Sequence, residues 1–495
     1  MESEIQLPGQ APPKEPTLKE KTAKGLFWGG IGSFSQQFIG LVFGILINRI
    51  LSPDDFGLVA MLAIFTAIAN TIMDSGFSIA LVNKKDIKPK DYNAVFWFSF
   101  LTGIVLYIIL FFAAPAIAWF HKNPELIDLS RLIFLNFIFS SLGVAHNAFL
   151  LKNIMAKQRS ICDAASVFSS QLIGLILALR GFGYWGLAVQ AIVQQLIATV
   201  IRLYVTPWKP SLKISFSPLK EMFKFSSKLF ITNIFLQANS QLLSMIFGRA
   251  FGKKETGYFS RGQFWGMLGN SVITSMISNI SLPVLAKAID NKERQINVFR
   301  KMTRFCAFIS FPCLIGFAFV GKEFIIITVG EKWLDCLFFF QIFCLWGSIS
   351  FLWTLFTNLL LSHNRSDIYM WGTISFFSLS LITSLSLLHL GMKPVVTAYI
   401  SCYCLWLFIW YYFVHKITNI SMWHVIKDIF PYFMITTGSI FVAWLITKDI
   451  TNIYVRFSLK ILITAIIYLS VMWKSNSVIM QECIKFAKEK ILHIS

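Results

Sequence analysis

The chain has 495 residues, of which 56% are hydrophobic and 16% aromatic, while only 14% are charged. A chain this apolar cannot hide its side chains in one water-soluble core, which makes the bilayer its natural solvent. The formal net charge of +20 raises nucleic acid as a partner, but the basic residues lie in short loops between apolar runs rather than in a folded basic domain with base-stacking aromatics, and no nucleic acid is expected.

Residues 1–16, MESEIQLPGQAPPKEP, are polar and proline-rich, and 1–23 is expected to be a disordered cytoplasmic tail. A spanning helix needs roughly 20 largely apolar residues, since only an internal hydrogen-bond ladder satisfies the backbone in hydrocarbon. Such runs recur at 26–48, 57–82, 93–120, 130–151, 161–179 and 184–206. The first is longer than a signal-peptide core and lacks a small-residue cleavage site, so it is read as a retained helix. Residues 207–220, PWKPSLKISFSPLK, break the pattern with prolines and basic side chains and form a linker between two halves. Further runs follow at 225–248, 258–286, 302–320, 334–361, 367–390 and 394–414, then at 424–446 and 456–473. In 475–495, Ile479, Cys483, Ile484, Ala487 and Ile491 alternate with Lys485, Lys488 and Lys490, the pattern of an interfacial helix on the inner leaflet.

The expected architecture is an all-α polytopic membrane protein with about fourteen transmembrane helices. It divides into an N-lobe at 24–206, a cytoplasmic linker at 207–220, a C-lobe at 221–414, two C-terminal helices within 415–474, and a cytoplasmic amphipathic tail at 475–495. With both termini in the cytoplasm, the inner loops hold more than twice as many Lys and Arg as the outer ones, the bias expected of an inner-membrane protein.

The two lobes read as a duplication. At an offset of 200 residues, Arg49, Asp55 and Gly57 align with Arg249, Glu255 and Gly257, and Gln37 and Asn70 align with Gln237 and Asn270. Both copies of the Arg-acid-Gly pattern fall in the outward turn between the first and second helices of their half, as in two six-helix bundles in parallel repeat. Each Arg is expected to pair with the acid across its own turn.

Polar residues at membrane depth are costly and mark a substrate path by default. Asp74, Arg131, Lys228, Asn233, Gln237, Asn239, Gln241, Arg249, Arg261 and Arg304 are the candidates. The cations suit a cavity for a phosphorylated anion, although basic chains near helix ends also snorkel to headgroups. The Asn and Gln residues of the seventh helix suit either sugar hydroxyls or contacts between helices. The eight cysteines are scattered, with no metal or disulfide spacing. Gly316 to Lys322 imitates a phosphate loop, but Glu323 stands where Ser or Thr should hold magnesium. No catalytic residue or cofactor is expected.

The stretches NRILSPDDFGLVAM (48–61), DSGFSIALVNKKD (74–86), residues 248–287 and SFPCLIGFAFVGKEFIIITVGEKW (310–333) resemble the polysaccharide flippases of the multidrug/oligosaccharidyl-lipid/polysaccharide exporter superfamily, in particular the O-antigen and colanic-acid branch. The resemblance implies two lobes facing a central cavity that opens to each side in turn. It implies an undecaprenyl-pyrophosphate-linked oligosaccharide as substrate, membrane lipid and a glycan polymerase as partners, and possible coupling to a H+ or Na+ gradient. The branch leads one to expect an acid on the seventh helix, where this chain reads Ser240-Gln-Leu-Leu-Ser244. The alternatives are a cation-coupled drug or metabolite exporter, a membrane glycan polymerase or ligase, and a scaffold for envelope assembly.

Overall fold

A computed structural model describes residues 18–482 apart from 75, 85 and 476–478; at 18–27, 29, 79, 83, 221, 224–226, 228, 229 and 278–280 only the backbone is described. The expected tail therefore lies outside the described residues at 1–17, and the C-terminal one lies outside them at 476–478 and 483–495.

The apolar runs fold as helices in the expected order. They are α1 (Leu18–Ile50), α2 (Pro53–Asp74), α3 (Pro89–His121), α4 (Leu126–Lys152), α5 (Ala156–Leu179), α6 (Tyr184–Val205), α7 (Ser217–Ala250), α8 (Lys253–Lys287), α9 (Lys292–Phe319), α10 (Leu337–Ile349 and Phe351–Ser362), α11 (Ser366–Ser386), α12 (Met392–Thr418), α13 (Met422–Thr447) and α14 (Ile453–Lys474). Thirteen described helices are long and apolar enough to cross a membrane. The chain is a multi-pass membrane protein. Against that standard α7 is 34 residues long but diluted by Thr232, Asn233, Gln237, Asn239, Ser240 and Gln241. Its packing shows that it crosses. Leu219 and Met222 at its start sit in one cluster with Tyr92 and Val95 at the start of α3, and Arg249 at its end lies 5.6 Å from the Phe120 ring at the end of α3.

Local chemistry sets the breaks. Gly76 takes a left-handed φ of 72°, which ends α2 and starts the short helix Phe77–Asn83. Pro312 removes a backbone donor in α9, and a π-helical turn, Phe311–Ile315, absorbs the gap. Residues 207–216 do not float. Trp97 Nε1 donates to the Ser211 carbonyl at 2.7 Å, Asn93 Nδ2 donates to the Lys213 carbonyl at 2.7 Å, and Trp208 packs tilted against His146 with ring centroids 5.0 Å apart. The linker is thereby strapped to α3 and α4.

The duplication is visible in the packing. In the first half α1 meets α5, α2 meets α4, α4 meets α6 and α5 meets α6; in the second half α7 meets α11, α8 meets α10, α10 meets α12 and α11 meets α12. Single side chains repeat the scheme. Ser140 of α4 donates to Asn70 of α2 at 3.4 Å, and Ser350, at the joint of α10, donates to Asn270 of α8 at 2.6 Å. Gly262 and Gly266 let α8 approach α10 so closely that an added Cβ would stand 2.7 Å from the carbonyls of Cys336 and Phe340, the small-residue packing of helices in lipid. α13 and α14 fall outside the repeat and lie along α9, joined by Tyr468 Oη donating to the Phe308 carbonyl at 2.8 Å.

Candidate functional site

The site is the seam where α1 and α2 face α7 and α8. At the end of the molecule carrying the turns at Ser52 and Gly252, here the turn face, the seam is shut by reciprocal contacts. A Cβ on Gly57 would fall 1.7 Å from the Lys253 carbonyl, and one on Gly257 would fall 1.8 Å from the Pro53 carbonyl. No other residue allows this approach, and each repeat therefore presses the glycine of its second helix into the turn of the other. Arg49 donates through Nε and Nη2 to the carbonyls of Thr328 and Ile327 at 2.5 and 2.6 Å, capping the open end of the short helix Gly321–Thr328. Lys332 Nζ donates to the carbonyls of Arg49 and Leu51 at 2.8 and 2.7 Å, and Trp333 Nε1 donates to that of Asn48 at 2.9 Å. Lys253 pairs with Glu125 at 2.8 Å.

The expected pairing of Arg49 with Asp55 is not what forms. Asp55 accepts instead from the backbone and hydroxyl of Ser52 at 2.9 and 2.7 Å, because a carboxylate three residues on suits the first turn of α2. The Arg is then free to reach the opposite lobe. Arg249 likewise leaves Glu255 and crosses to Phe120. Both repeats thus share a reach toward the other lobe, Arg49 to the end of the short helix after the ninth span and Arg249 to the end of the third span.

Away from the turn face the seam is uneven. Between α7 and the short helix Phe77–Asn83 that follows α2 it stays closed, with Phe77 6.4 Å from Phe223 and packed in the cluster that holds Leu219 and Met222. Between α1 and α8 one hydrogen bond is described, from Gln37 Nε2 to Ser271 Oγ at 3.3 Å. Beyond it, toward the end that carries the linker, here the linker face, Ser33 and Phe34 of α1 and Ser275 and Met276 of α8 are exposed.

The structure sorts the sequence candidates. Arg261 is at the seam, its guanidinium 4.1 Å from the Phe56 ring of the other lobe and 5.0 Å from Phe264, with Nε buried and unbonded. No carboxylate pairs with it among the described residues. Asp74 is half-buried where α2 breaks and accepts a hydrogen bond from Ser78. Gln237 is exposed, and Asn233 and Gln241 are half-buried. Asn239 instead turns into the second lobe, where Nδ2 donates to Tyr403 and Tyr399 Oη at 2.7 and 3.1 Å and Oδ1 accepts from Ser380 at 2.7 Å. Arg131 lies within the first lobe, 4.5 Å over Phe111 and 3.8 Å from Asp128. Arg304 binds Asp428 of α13 at 2.7 Å, as does Arg300. The side chain of Lys228 lies outside the described residues. Sequence reasoning missed Lys332, Trp333 and Asp428; the recurrence of Gly57 as Gly257 was the one signal that pointed to the reciprocal contact.

Among the described residues no group of His, Cys, Asp and Glu is placed to hold a metal. What the seam offers is a cation and amide-bearing side chains between two bodies.

Comparison with known proteins places the chain. Residues 46–338 match the profile of a family described as polysaccharide biosynthesis protein. The lipopolysaccharide biosynthesis protein WzxC of Escherichia coli is 24% identical over 71% of this chain and 72% of its own. The teichuronic acid biosynthesis protein TuaB of Bacillus subtilis is 24% identical over 74% and 77%. Among solved structures, the lipid II flippase MurJ in an inward closed conformation superposes with a TM-score of 0.74 over 91% of this chain and 99% of its own, at 14% identity, a likeness of fold.

Proposed function

We propose that this chain, which belongs to the polysaccharide biosynthesis protein family, is a flippase that carries an undecaprenyl-pyrophosphate-linked oligosaccharide across the inner membrane by alternating access. The observation that carries the reading is the seam. It is locked at the turn face by reciprocal glycine contacts, while between α1 and α8 a single described hydrogen bond joins the lobes and the side chains beyond it, toward the linker face, are exposed. The linker face is the cytoplasmic one in this reading, because the loops on that side hold the excess of Lys and Arg. The lobes 24–206 and 221–414 rock about the seam.

A substrate enters from the linker face between α1 and α8, with its polyprenyl tail left in lipid. Gln37, Gln237 and Ser271 offer hydrogen bonds to sugar hydroxyls. When the turn face opens, Arg261 loses the Phe56 ring and exposes its charge to the pyrophosphate, a stronger partner than an aromatic face. The chain acts as a transporter without a resident cofactor, and Asp74, which pairs with no cation among the described residues, is the acid available to couple movement to a proton gradient. A basic seam favours this cargo over the cationic cargo of a drug exporter.

The test is where the lipid-linked oligosaccharide accumulates in cells lacking the chain. Accumulation on the cytoplasmic leaflet is the expected result. A full periplasmic pool of unpolymerised units overturns the reading in favour of a polymerase.

A further inference from the structure

At the turn face lies a cleft of about 500 Å³ that the transport path does not use, lined by Pro115, Ala118 and Ile127 together with Trp119, Lys122 and Arg249. Trp119 is 79% exposed at the last turn of α3, where a spanning helix meets the headgroup layer and indole rings are favoured. Lys122 is exposed and enters no ion pair among the described residues. Arg249 is half-buried with Nη1 enclosed and unbonded, whereas its repeat counterpart Arg49 has its donors filled by two carbonyls. The nearby carboxylates are engaged, Glu125 with Lys253 at 2.8 Å and Asp128 facing Arg131 at 3.8 Å. The cleft is thus an apolar trough with two cations that pair with no carboxylate among the described residues and one unfilled buried donor, at headgroup depth.

We propose that this cleft binds an anionic phospholipid of the turn-face leaflet. Lys122 and Arg249 hold the headgroup phosphate, and Trp119, Pro115 and Ile127 lie against the glycerol and upper acyl chain. The apolar lining argues for a lipid phosphate over a soluble one, since a free phosphate gains nothing from it. Trp119 and Lys122 belong to the first lobe and Arg249 to the second, so one headgroup ties the lobes in the shut state of the turn face.

The experiment titrates the purified full-length protein in detergent with dioleoyl-phosphatidylglycerol, dioleoyl-phosphatidylcholine, undecaprenyl pyrophosphate and inorganic phosphate, reading bound lipid by native mass spectrometry and thermal stability in parallel. Phosphatidylglycerol is expected to bind and stabilise, phosphatidylcholine to do neither, and millimolar phosphate to leave the bound lipid in place. Lys122→Asn keeps a residue that tolerates the left-handed φ of 53° at this position. It and Arg249→Ala should each weaken phosphatidylglycerol binding about five-fold, and Arg249→Lys should restore most of the loss. Equal binding of the two phospholipids, indifference to both variants, or displacement by inorganic phosphate overturns the proposal. So does preferential, Lys122-dependent binding of undecaprenyl pyrophosphate, which would make the cleft a product site.

Discussion

Asp428 on α13 is 3% exposed and receives Arg300 and Arg304 of α9, each at 2.7 Å. In the short helix Gly321–Thr328 that follows α9, Glu323 is also 3% exposed and faces Arg456 and Lys460 of α14 at 2.9 and 2.8 Å. Each acid neutralises one of two cations, and its removal leaves both cations without a carboxylate among the described residues. Asp428→Asn should therefore destabilise the purified protein by about 2 kcal/mol, less than the full cost of breaking a buried pair because the arginines keep some access to water; thermal unfolding in detergent measures it. Asn239 and Gln237 make a matched pair. Asn239→Leu should lower stability by about 2 kcal/mol by removing the buried amide that Ser380, Tyr399 and Tyr403 share. Gln237→Ala should leave the melting temperature unchanged and slow glycan export. Export and melting measured on both variants separate a structural amide from one on the path. Periodicity could not tell these two residues apart, since they stand two positions apart on one helix and only the neighbouring helices decide which is enclosed. Asp428 was equally hidden, because its partners lie more than a hundred residues away.

Helices were the most legible scale. Length and hydropathy located the spans because bilayer thickness dictates both, while the break after α2 and the two-part α10 depend on backbone details that hydropathy does not carry. The repeat of Arg, acid and Gly was read correctly as a duplication and wrongly as two self-contained turns, since a motif shows what recurs and not what it touches. The structure makes the glycines the more informative members. Gly57→Ala places a methyl group inside the Lys253 carbonyl, a clash that only separation of the lobes relieves. It should shift the population toward a turn face that is open. A cysteine at Met61, buried at 1% beside Gly248, should then react faster with a membrane-impermeant thiol reagent than in the parent chain. Unchanged labelling would mean that the contact does not hold the turn face shut.

On the scale of the whole molecule, the linker strapped to α3 and the contact of α2 with α7 run down one side of the seam, and the sparse contact of α1 with α8 runs down the other. Motion that opens one side and keeps the other predicts a site for locking. Cysteines replacing Gln37 and Ser271, in a chain otherwise free of cysteine, should cross-link on oxidation, stop export, and recover on reduction. Export that persists while the cross-link is complete removes the α1–α8 side from the route.

A pair of lobes hinged along one edge and loose along the other can admit cargo whose greasy end never leaves its native solvent. Selection then acts on the charged and sugared portion alone. Carriers built from shorter or longer isoprenoid chains should serve this protein about equally well, so that the cell's choice of glycan, and not its choice of lipid anchor, sets what is exported.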